Sequence, residues 1–219
     1  MITVQDAVAT LHAQGDADKA AEMRKYHKAA RPFLGVSNPD IDEAAKTWRA
    51  EVSLEERLTL AAGLWDTNIH ECRVAAAKLL VQARIKPDDA AWALITSWVP
   101  QFDGWAIADH VCSAGARRLQ ADPARLDEVE KWTTSDHMWT KRAALVMTLP
   151  WTKLRNPKPD DIAARERILG WAAAYTTDPA WFIQKSVSWW LRELGRHDAP
   201  RVRAFLDAHG DAMKHFARK

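Results

Sequence analysis

The chain has 219 residues, of which 47% are hydrophobic and 27% charged, a balance typical of a folded globular domain. No run approaches the roughly 18 apolar residues of a membrane span, and the first residues lack the apolar core of a secretory signal. Cys72 and Cys112 are isolated, which argues against a disulfide scaffold or a zinc site, and the net charge is only +2. We therefore expect one soluble, cytoplasmic domain covering residues 1–219, in which any anion site arises from local clustering of cations.

Proline and small polar residues divide the sequence into segments of three to four helical turns. Ser53 to Glu56 has the pattern of a capping box, and the pairs Asp122-Pro123 and Asp178-Pro179 each supply a capping carboxylate followed by a proline suited to the first helical position. No alternating β-branched segment competes with this helical pattern. We predict helices near residues 3–13, 17–28, 40–50, 54–65, 69–83, 88–99, 103–119, 123–133, 137–149, 160–175, 179–195 and 198–216.

The predicted fold class is therefore all-α. About a dozen helices joined by short loops favour antiparallel neighbours stacked as successive pairs. Helix pairs of about 40 residues have the size of HEAT-type units, whose stacking produces an α-α superhelix (solenoid) with a concave face. Because the sequence contains no clear self-repeat, a compact, non-repetitive helical bundle is the alternative architecture.

The helix predicted at 103–119 carries an unusual pair of residues away from its apolar stripe. Ile107 and Val111 mark the inner face, whereas Trp105 and Asp109 are four residues apart and lie one above the other on a different face. An indole beside a carboxylate combines apolar contact with negative charge. The alternative interpretation is a solvated aspartate next to a half-buried tryptophan.

Arg142 shows the opposite anomaly in the helix predicted at 137–149. It falls within the apolar arc, close to Met138 and Leu145. A guanidinium in that position needs a carboxylate partner, or must extend along the surface to reach an anion. A structural ion pair and an anion contact therefore both remain open for Arg142.

The helix predicted at 179–195 displays Trp189 on its polar side, about 140° from the centre of its apolar stripe. Lys185 and Arg192 flank it, and residues 181–219 contain eight Lys/Arg against four Asp/Glu. A large ring among cations suits an anionic partner that also offers a ring or sugar to pack against, and nucleic acid fits that description. Burial of Trp189 against a neighbouring helix is the alternative.

Several chemistries are disfavoured by missing motifs. The sequence contains no GxGxxG, no Walker-type glycine loop and no GxSxG elbow. His70-Glu71 begins a zincin-like pattern, but Val74 stands where the second metal-binding histidine is required. We therefore predict neither a metal nor a cofactor.

Together these segments resemble the AlkD family of DNA alkylation-repair glycosylases over nearly the whole chain. The strongest match is WFIQKSVSWWLRELGR at residues 181–196, which places the family's cleft tryptophan on Trp189. The segment WTKRAA at residues 139–144 is similar to the family's W-x-x-R-A-A helix and assigns its cleft arginine to Arg142.

Two further segments extend the resemblance. The W-x-x-x-D spacing of Trp105 and Asp109 corresponds to the family's aromatic residue and catalytic carboxylate. Tyr26, followed by PFLGV at residues 32–36, looks like the family's Y…FLGI segment. The chain departs from the family at Gly104, where relatives often carry an additional tryptophan.

The resemblance implies HEAT-like repeats with a concave DNA-binding face, and hydrolysis of the N-glycosidic bond of cationic alkylpurines such as 3-methyladenine and 7-methylguanine in duplex DNA. A base that already carries positive charge departs neutral, so the paired general acid of ordinary glycosidases is not needed. The implied catalytic residues are Asp109, Trp105 and Trp189. Arg142 and Tyr26 are implied DNA contacts, with Lys141, Lys185 and Arg192 as further candidates.

We expect the protein to act as a monomer on alkylated double-stranded DNA. The alternative function is a non-catalytic HEAT-repeat module that binds distorted or branched DNA or a protein partner. A carboxylate at position 109 favours the enzyme, since a pure DNA binder would gain only repulsion from phosphates by keeping it there.

Overall fold

The computed structural model describes residues 2–218. In this range the chain contains thirteen α-helices and no β-strand, so the predicted all-α class is confirmed. The helices are α1 (Val4–Ala13), α2 (Ala17–His27), α3 (Asn38–Glu51), α4 (Leu54–Asp66), α5 (His70–Leu80), α6 (Asp89–Trp98), α7 (Trp105–Ala121), α8 (Leu126–Trp132), α9 (Met138–Met147), α10 (Pro159–Tyr175), α11 (Trp181–Gly195), α12 (Ala199–His209) and α13 (His215–Arg218).

The chain packs as two compact units, Met1–Arg118 and Leu119–Lys219. The first unit contains α1 to α6 and α7 as far as Arg118, and the second contains α8 to α13. Across the described residues, every helix is too short or too polar to cross a lipid bilayer.

The core of the first unit is built around α5, whose residues are all buried except Lys78. Its three consecutive alanines, residues 75–77, leave room for close approach by α3 and α4, which pack against it. A helix that is covered on every side depends on its neighbours for stability. For this reason α5 acts as the rigid support for the segments that contact its first turn.

The core of the second unit is built around α11. Its apolar stripe of Ile183, Val187, Trp190 and Leu194 is fully buried, as the sequence predicts. The helices α9, α10, α12 and α13 pack against α11. The exposed residues of α11, Trp181, Lys185 and Arg192, lie outside this stripe and are therefore available for other roles.

Most predicted helix boundaries agree with the structure, and the capping box at Ser53 is confirmed. The Ser53 amide donates to Glu56 Oε2 at 2.8 Å, and the Glu56 amide donates to Ser53 Oγ at 3.2 Å. The helix predicted at 123–133 begins instead as a 3-10 turn, Pro123–Arg125, before α8. The helix predicted at 198–216 is divided into α12, a 3-10 turn and α13.

The predicted capping role of Asp178 is wrong. The helix α11 begins at Trp181, two residues later than Pro179, with Ala180 as its N-cap. The Asp178 carboxylate instead accepts a hydrogen bond from the Ala180 amide at 2.8 Å and pairs with Lys141 Nζ at 2.5 Å. A tertiary ion pair therefore outweighs the local capping signal.

Candidate functional site

The two faces predicted for α7 are present in the structure. Ile107 and Val111 are buried, whereas Trp105 is 38% exposed and Asp109 is half-buried. Trp105 begins the helix, and Asp109 follows one turn later on the same side. The exposed indole and the carboxylate thus form one surface unit, and their roles in chemistry stay predictions.

Two of the predicted site residues, Tyr26 and Trp105, are brought together by a cluster of rings. Tyr26 is 70% exposed and meets the Trp105 ring edge-on at a centroid distance of 6.2 Å. His27 lies 5.4 Å from the same indole and stacks on His70 at 5.0 Å, and His70 stacks on Phe33 at 4.6 Å. The position of Trp105 is therefore supported from α2, from the loop that follows it and from α5.

The PFLGV segment is held in place by a buried carboxylate. Glu71 accepts hydrogen bonds from the amides of Leu34, at 2.9 Å, and Gly35, at 2.8 Å. Gly35 has φ +80°, and a Cβ there would lie 2.1 Å from the backbone oxygen of Asp16. The glycine of this motif therefore has a structural role: only glycine allows the loop to pass so close to α2.

The histidines of this cluster are neutral at neutral pH. Burial, followed by the charges of His27 and Arg31, lowers the pKa of His70 to about 3. Burial also lowers the pKa of His27. On α7, burial and then the charge of Lys78 lower the pKa of a third histidine, His110, to about 4. Sequence reasoning missed His27 and His70, because nothing in their local pattern indicates that they stack beside Trp105.

The exposed side of α11 carries Trp189 and two predicted DNA-binding cations. Trp189 is half-buried, whereas the adjacent Trp190 is fully buried, so the prediction that Trp189 lies off the core stripe is confirmed. Lys185 and Arg192 are both exposed. Lys185 Nζ lies 4.3 Å from the ring centroid of Trp181, which is itself exposed. This side of α11 therefore alternates indole rings with cations.

The glutamine of the WFIQK segment fixes the loop that leads into α11. The Gln184 side chain is buried, and its Nε2 donates to the backbone oxygens of Tyr175, Thr176 and Asp178 at 2.7 to 3.0 Å. Its Oε1 accepts from the Lys214 amide at 3.3 Å. The motif glutamine therefore stabilises the start of α11 from inside and has no exposed surface for a ligand.

The two motifs of the second unit pack against each other. Trp139 on α9 lies 4.6 Å from Phe182 on α11. Lys141 pairs with Asp178, and its backbone oxygen accepts a hydrogen bond of 2.7 Å from Tyr175 Oη. Lys141, one of the predicted DNA-binding residues, is therefore already paired with a carboxylate of the protein.

Arg142 is nearly buried, with 5% of its surface exposed. Its Cζ lies 5.7 Å from the ring centroid of Trp139, one turn earlier on α9. The predicted position of Arg142 among apolar residues is therefore confirmed. A guanidinium held in such surroundings is poorly hydrated, so an anion that reached it would be bound more strongly than by an exposed arginine.

Comparisons with known proteins agree with this architecture. The sequence model of a family described as DNA alkylation repair enzyme matches residues 7–219. A solved structure from Enterococcus faecalis, described as a predicted DNA alkylation repair enzyme, is similar with a TM-score of 0.75 and 19% identity, covering 94% of this chain and 93% of that chain. AlkD2 from Streptococcus mutans is similar with a TM-score of 0.61 and 17% identity, covering 87% and 88%. At these identities the structural likeness confirms the fold class; no curated protein matches the sequence significantly.

Proposed function

The chain belongs to the DNA alkylation repair enzyme family, and from this premise we propose that it is a monofunctional DNA glycosylase. It hydrolyses the N-glycosidic bond of cationic N-alkylated purines, such as 3-methyladenine and 7-methylguanine, in duplex DNA. The reaction belongs to base excision repair and uses no metal or cofactor. Because one chain carries all the proposed residues, a monomer is sufficient.

The observation that carries this proposal is the pairing of Trp105 and Asp109 on α7. The indole is exposed and the carboxylate is half-buried one turn away. A protein that only binds DNA gains nothing from a carboxylate near phosphates, because the two repel each other. In an enzyme that forms positive charge on a sugar, the same carboxylate stabilises the transition state.

The chemistry follows from the charge of the substrate. Water forms a bond to C1′ of the deoxyribose as the bond to the base nitrogen breaks, and the electron pair of that bond neutralises the cationic base. Positive charge builds up on the sugar in the transition state, as in other glycosidic cleavages. Asp109 stabilises this charge, orients the water and takes up its proton. A preorganised group in this position contributes about 3 to 4 kcal/mol.

The tryptophans contribute through their electron-rich faces. Trp105 and Trp189 pack against the deoxyribose and the lesion backbone, where a cation–π contact reaches about 2 kcal/mol when water is excluded. Tyr26, whose ring touches Trp105 edge-on, adds a contact to the DNA backbone. The three rings therefore provide surface for a sugar, and the carboxylate of Asp109 provides negative charge.

The phosphates are held by cations of the second unit. Lys185 and Arg192 are exposed on the Trp189 side of α11 and suit this role. Arg142 adds a stronger, poorly hydrated contact from α9. Lys141 contributes less than the sequence predicts, since a phosphate would have to displace Asp178.

The proposal is tested by incubating the protein with methylated duplex DNA and measuring free 7-methylguanine by liquid chromatography. We expect release by the parent protein and about a thirtyfold loss for Trp189→Ala, the value of a 2 kcal/mol contact. Trp181→Ala is the matched control, because it removes an exposed indole from the same side of α11, and base release by this variant should stay within a few-fold of the parent. If the parent releases no base but binds DNA, the non-catalytic binding module replaces this proposal.

A further inference from the structure

An open groove of the first unit is lined by cations. It lies where the ends of α3 and α5 meet the first turns of α4, and its volume is about 390 Å³, within the range of about 300 to 1,000 Å³ that is typical of ligand sites. Lys46 and Arg49 line it from α3, and Arg57 lines it from α4; none of the described residues that line it is acidic. We refer to it as the Arg49 groove. None of the roles proposed above uses it.

The Arg49 guanidinium is held in place on one side and open on the other. Its Nη1 donates to the backbone oxygen of Lys78, in the last turn of α5, at 2.8 Å. Its Nε and Nη2 have no hydrogen-bond partner among residues 2–218, and they are not fully buried. Two N–H groups of a fixed side chain that lines the groove are therefore available to an acceptor from another molecule.

The two available nitrogens of Arg49 form a fork. The N–H groups of Nε and Nη2 lie on the same edge of the planar guanidinium and point the same way, which matches two oxygens of one carboxylate or phosphate. Arg201 uses these same two nitrogens within this protein, where they bind both oxygens of Glu166 at 2.8 and 2.7 Å. At Arg49 the corresponding anion is not supplied by residues 2–218.

Arg57 adds a second positive charge beside Arg49. Its Nη1 donates to Gln82 Oε1 at 2.6 Å, and its Nη2 donates to the backbone oxygen of Arg49 at 3.4 Å. Burial, followed by the charge of Arg49, lowers the pKa of Arg57. Neither arginine forms an ion pair with a carboxylate of residues 2–218. The groove therefore holds positive charge that an anion would balance, and a cleft lined by one sign of charge attracts the opposite sign.

A purely structural role does not account for the whole groove. Arg49 and Arg57 do bind carbonyl groups near the ends of α5 and α3, where cations are favoured. This role leaves the fork of Arg49 unused. It also does not involve Lys46, whose exposed ammonium group contacts Glu43 at 3.3 Å in a surface ion pair, and such a pair contributes little.

The position of the groove suits a DNA duplex that also contacts Trp105. The first residue of α5, His70, belongs to the ring cluster that supports Trp105, and Val81, directly after the last residue of α5, lines the groove. The 11 residues of α5 span about 16 Å, the length of about five base pairs at about 3.4 Å each. A duplex that is bound at Trp105 and runs along α5 therefore places a backbone phosphate near the groove.

We propose that the Arg49 groove binds a phosphate of the DNA backbone, a few base pairs away from the alkylated nucleotide. Arg49 holds two phosphate oxygens through Nε–H and Nη2–H, Lys46 adds an ammonium contact, and Arg57 supplies further positive charge. The inference rests on the proposed function only in taking DNA as the ligand. It gives the first unit cations for DNA, whereas the contacts proposed above for that unit, Tyr26, Trp105 and Asp109, include none.

The inference is tested by measuring the affinity of an unmodified DNA duplex by fluorescence anisotropy over a range of salt concentrations. Arg49→Gln should weaken binding about tenfold, from the loss of charge-assisted hydrogen bonds. It should also reduce the slope of log K against log[salt] by about 0.9, the value of one phosphate contact. Lys46→Gln should weaken binding less than Arg49→Gln does, because an ammonium group lacks the fork.

Arg84→Gln is the matched control, because it removes the same charge from an exposed arginine of the same unit that does not line the groove. This variant should bind DNA like the parent. If Arg49→Gln and Arg84→Gln weaken binding equally, net charge controls the affinity; if Arg49→Gln lowers the melting temperature but keeps the full salt slope, the arginine is structural. Either result overturns the inference.

Arg49→Gln also removes the hydrogen bond to Lys78 O and could prevent folding. Lys46→Gln then decides alone, since Lys46 is exposed and its replacement leaves the buried contacts unchanged. Weaker binding than the parent supports the groove, and parent affinity at every salt concentration overturns it.

Two further probes distinguish DNA from other anions. If inorganic phosphate at constant ionic strength raises the melting temperature of the parent but not of Arg49→Gln, while both bind the duplex equally, the groove is a site for free phosphate. If Arg49→Gln loses affinity for labelled poly-glutamate but not for the duplex, the ligand is an acidic protein segment. Both outcomes overturn the inference, which expects the loss for the duplex.

The outcome is separable from that of base release. A parent that excises 7-methylguanine while Arg49→Gln keeps the full salt slope refutes the groove alone. A parent that excises nothing while Arg49→Gln loses slope refutes the glycosylase alone.

Discussion

Replacing Glu71 by glutamine changes a single oxygen into an amide nitrogen at the base of the loop that supports Trp105. In the parent, the two carboxylate oxygens accept the amides of Leu34 and Gly35 at 2.9 and 2.8 Å. Hydrogen bonds to a charged group contribute about 1.5 to 3 kcal/mol each. Glutamine can keep one of them, while its NH₂ group faces the other amide, donor against donor. The expected loss in the free energy of unfolding is therefore about 3 kcal/mol.

For a chain of this length, a loss of that size lowers the melting temperature by about 6 to 12 °C. Thermal unfolding followed by circular dichroism measures it directly. Glu43→Gln is the matched control, because Glu43 is exposed and pairs with Lys46 on the surface, a contact that contributes less than about 1 kcal/mol. If Glu71→Gln and Glu43→Gln melt within 1 °C of each other, the buried carboxylate does not hold the loop, and the structural explanation of the PFLGV segment fails.

Three further predictions concern Gly35, His70 and Arg142. Gly35→Ala should destabilise the protein by at least about 2 kcal/mol, since φ +80° disfavours any side chain and the new Cβ would meet Asp16 O at 2.1 Å; urea unfolding that matches the parent would contradict it. His70→Phe should reduce acid sensitivity: the folded pKa of about 3 lies below the ordinary 6.5, so protonation favours the unfolded chain and the parent loses about 2 kcal/mol from this group between pH 7 and pH 5. Urea unfolding at both pH values checks this, and an equal loss in parent and variant would refute it. Arg142→Ala should weaken DNA binding and reduce its salt slope by about 0.9; unchanged affinity at every salt concentration would exclude a phosphate contact at Arg142.

Much of the fold is readable from the sequence because it depends on local periodicity. The apolar stripe of α11 places Trp190 inside and Trp189 on its polar side, and the structure agrees. The capping box at Ser53 involves residues only three positions apart. Both signals are contained within one helix, so no knowledge of the neighbouring helices is needed to interpret them.

The support of the candidate site was not predictable in the same way, because it joins residues far apart in the chain. Glu71 reaches Leu34 across 37 positions, and Arg31 reaches Asp103 across 72. Glu71 is a charged residue in the alanine-rich helix α5, just as Arg142 is a charged residue within an apolar arc. This pattern by itself indicates a buried interaction. Its partners are backbone amides, however. Every residue except proline has such an amide, so the sequence does not show which residues Glu71 binds.

Long-range pairing also explains the misassigned cap. The Asp178-Pro179 pair has the composition of a helix start, but the carboxylate is drawn to Lys141, 37 positions earlier. The helix consequently begins at Trp181. The same ion pair makes Lys141 less available to DNA. One tertiary contact therefore shifts the start of α11 and weakens a predicted DNA contact.

The central claim is that Asp109 makes this chain an enzyme, and single-turnover release of 7-methylguanine from methylated duplex DNA tests it most directly. With protein in excess, Asp109→Asn should slow release about 100- to 1,000-fold, the loss expected for a preorganised electrostatic contact, while duplex affinity stays equal or increases because a negative charge is removed. Asp66→Asn, which changes an exposed carboxylate of the same unit, should release base at the parent rate. Release by Asp109→Asn at the parent rate, with the DNA bound equally well, would contradict the account.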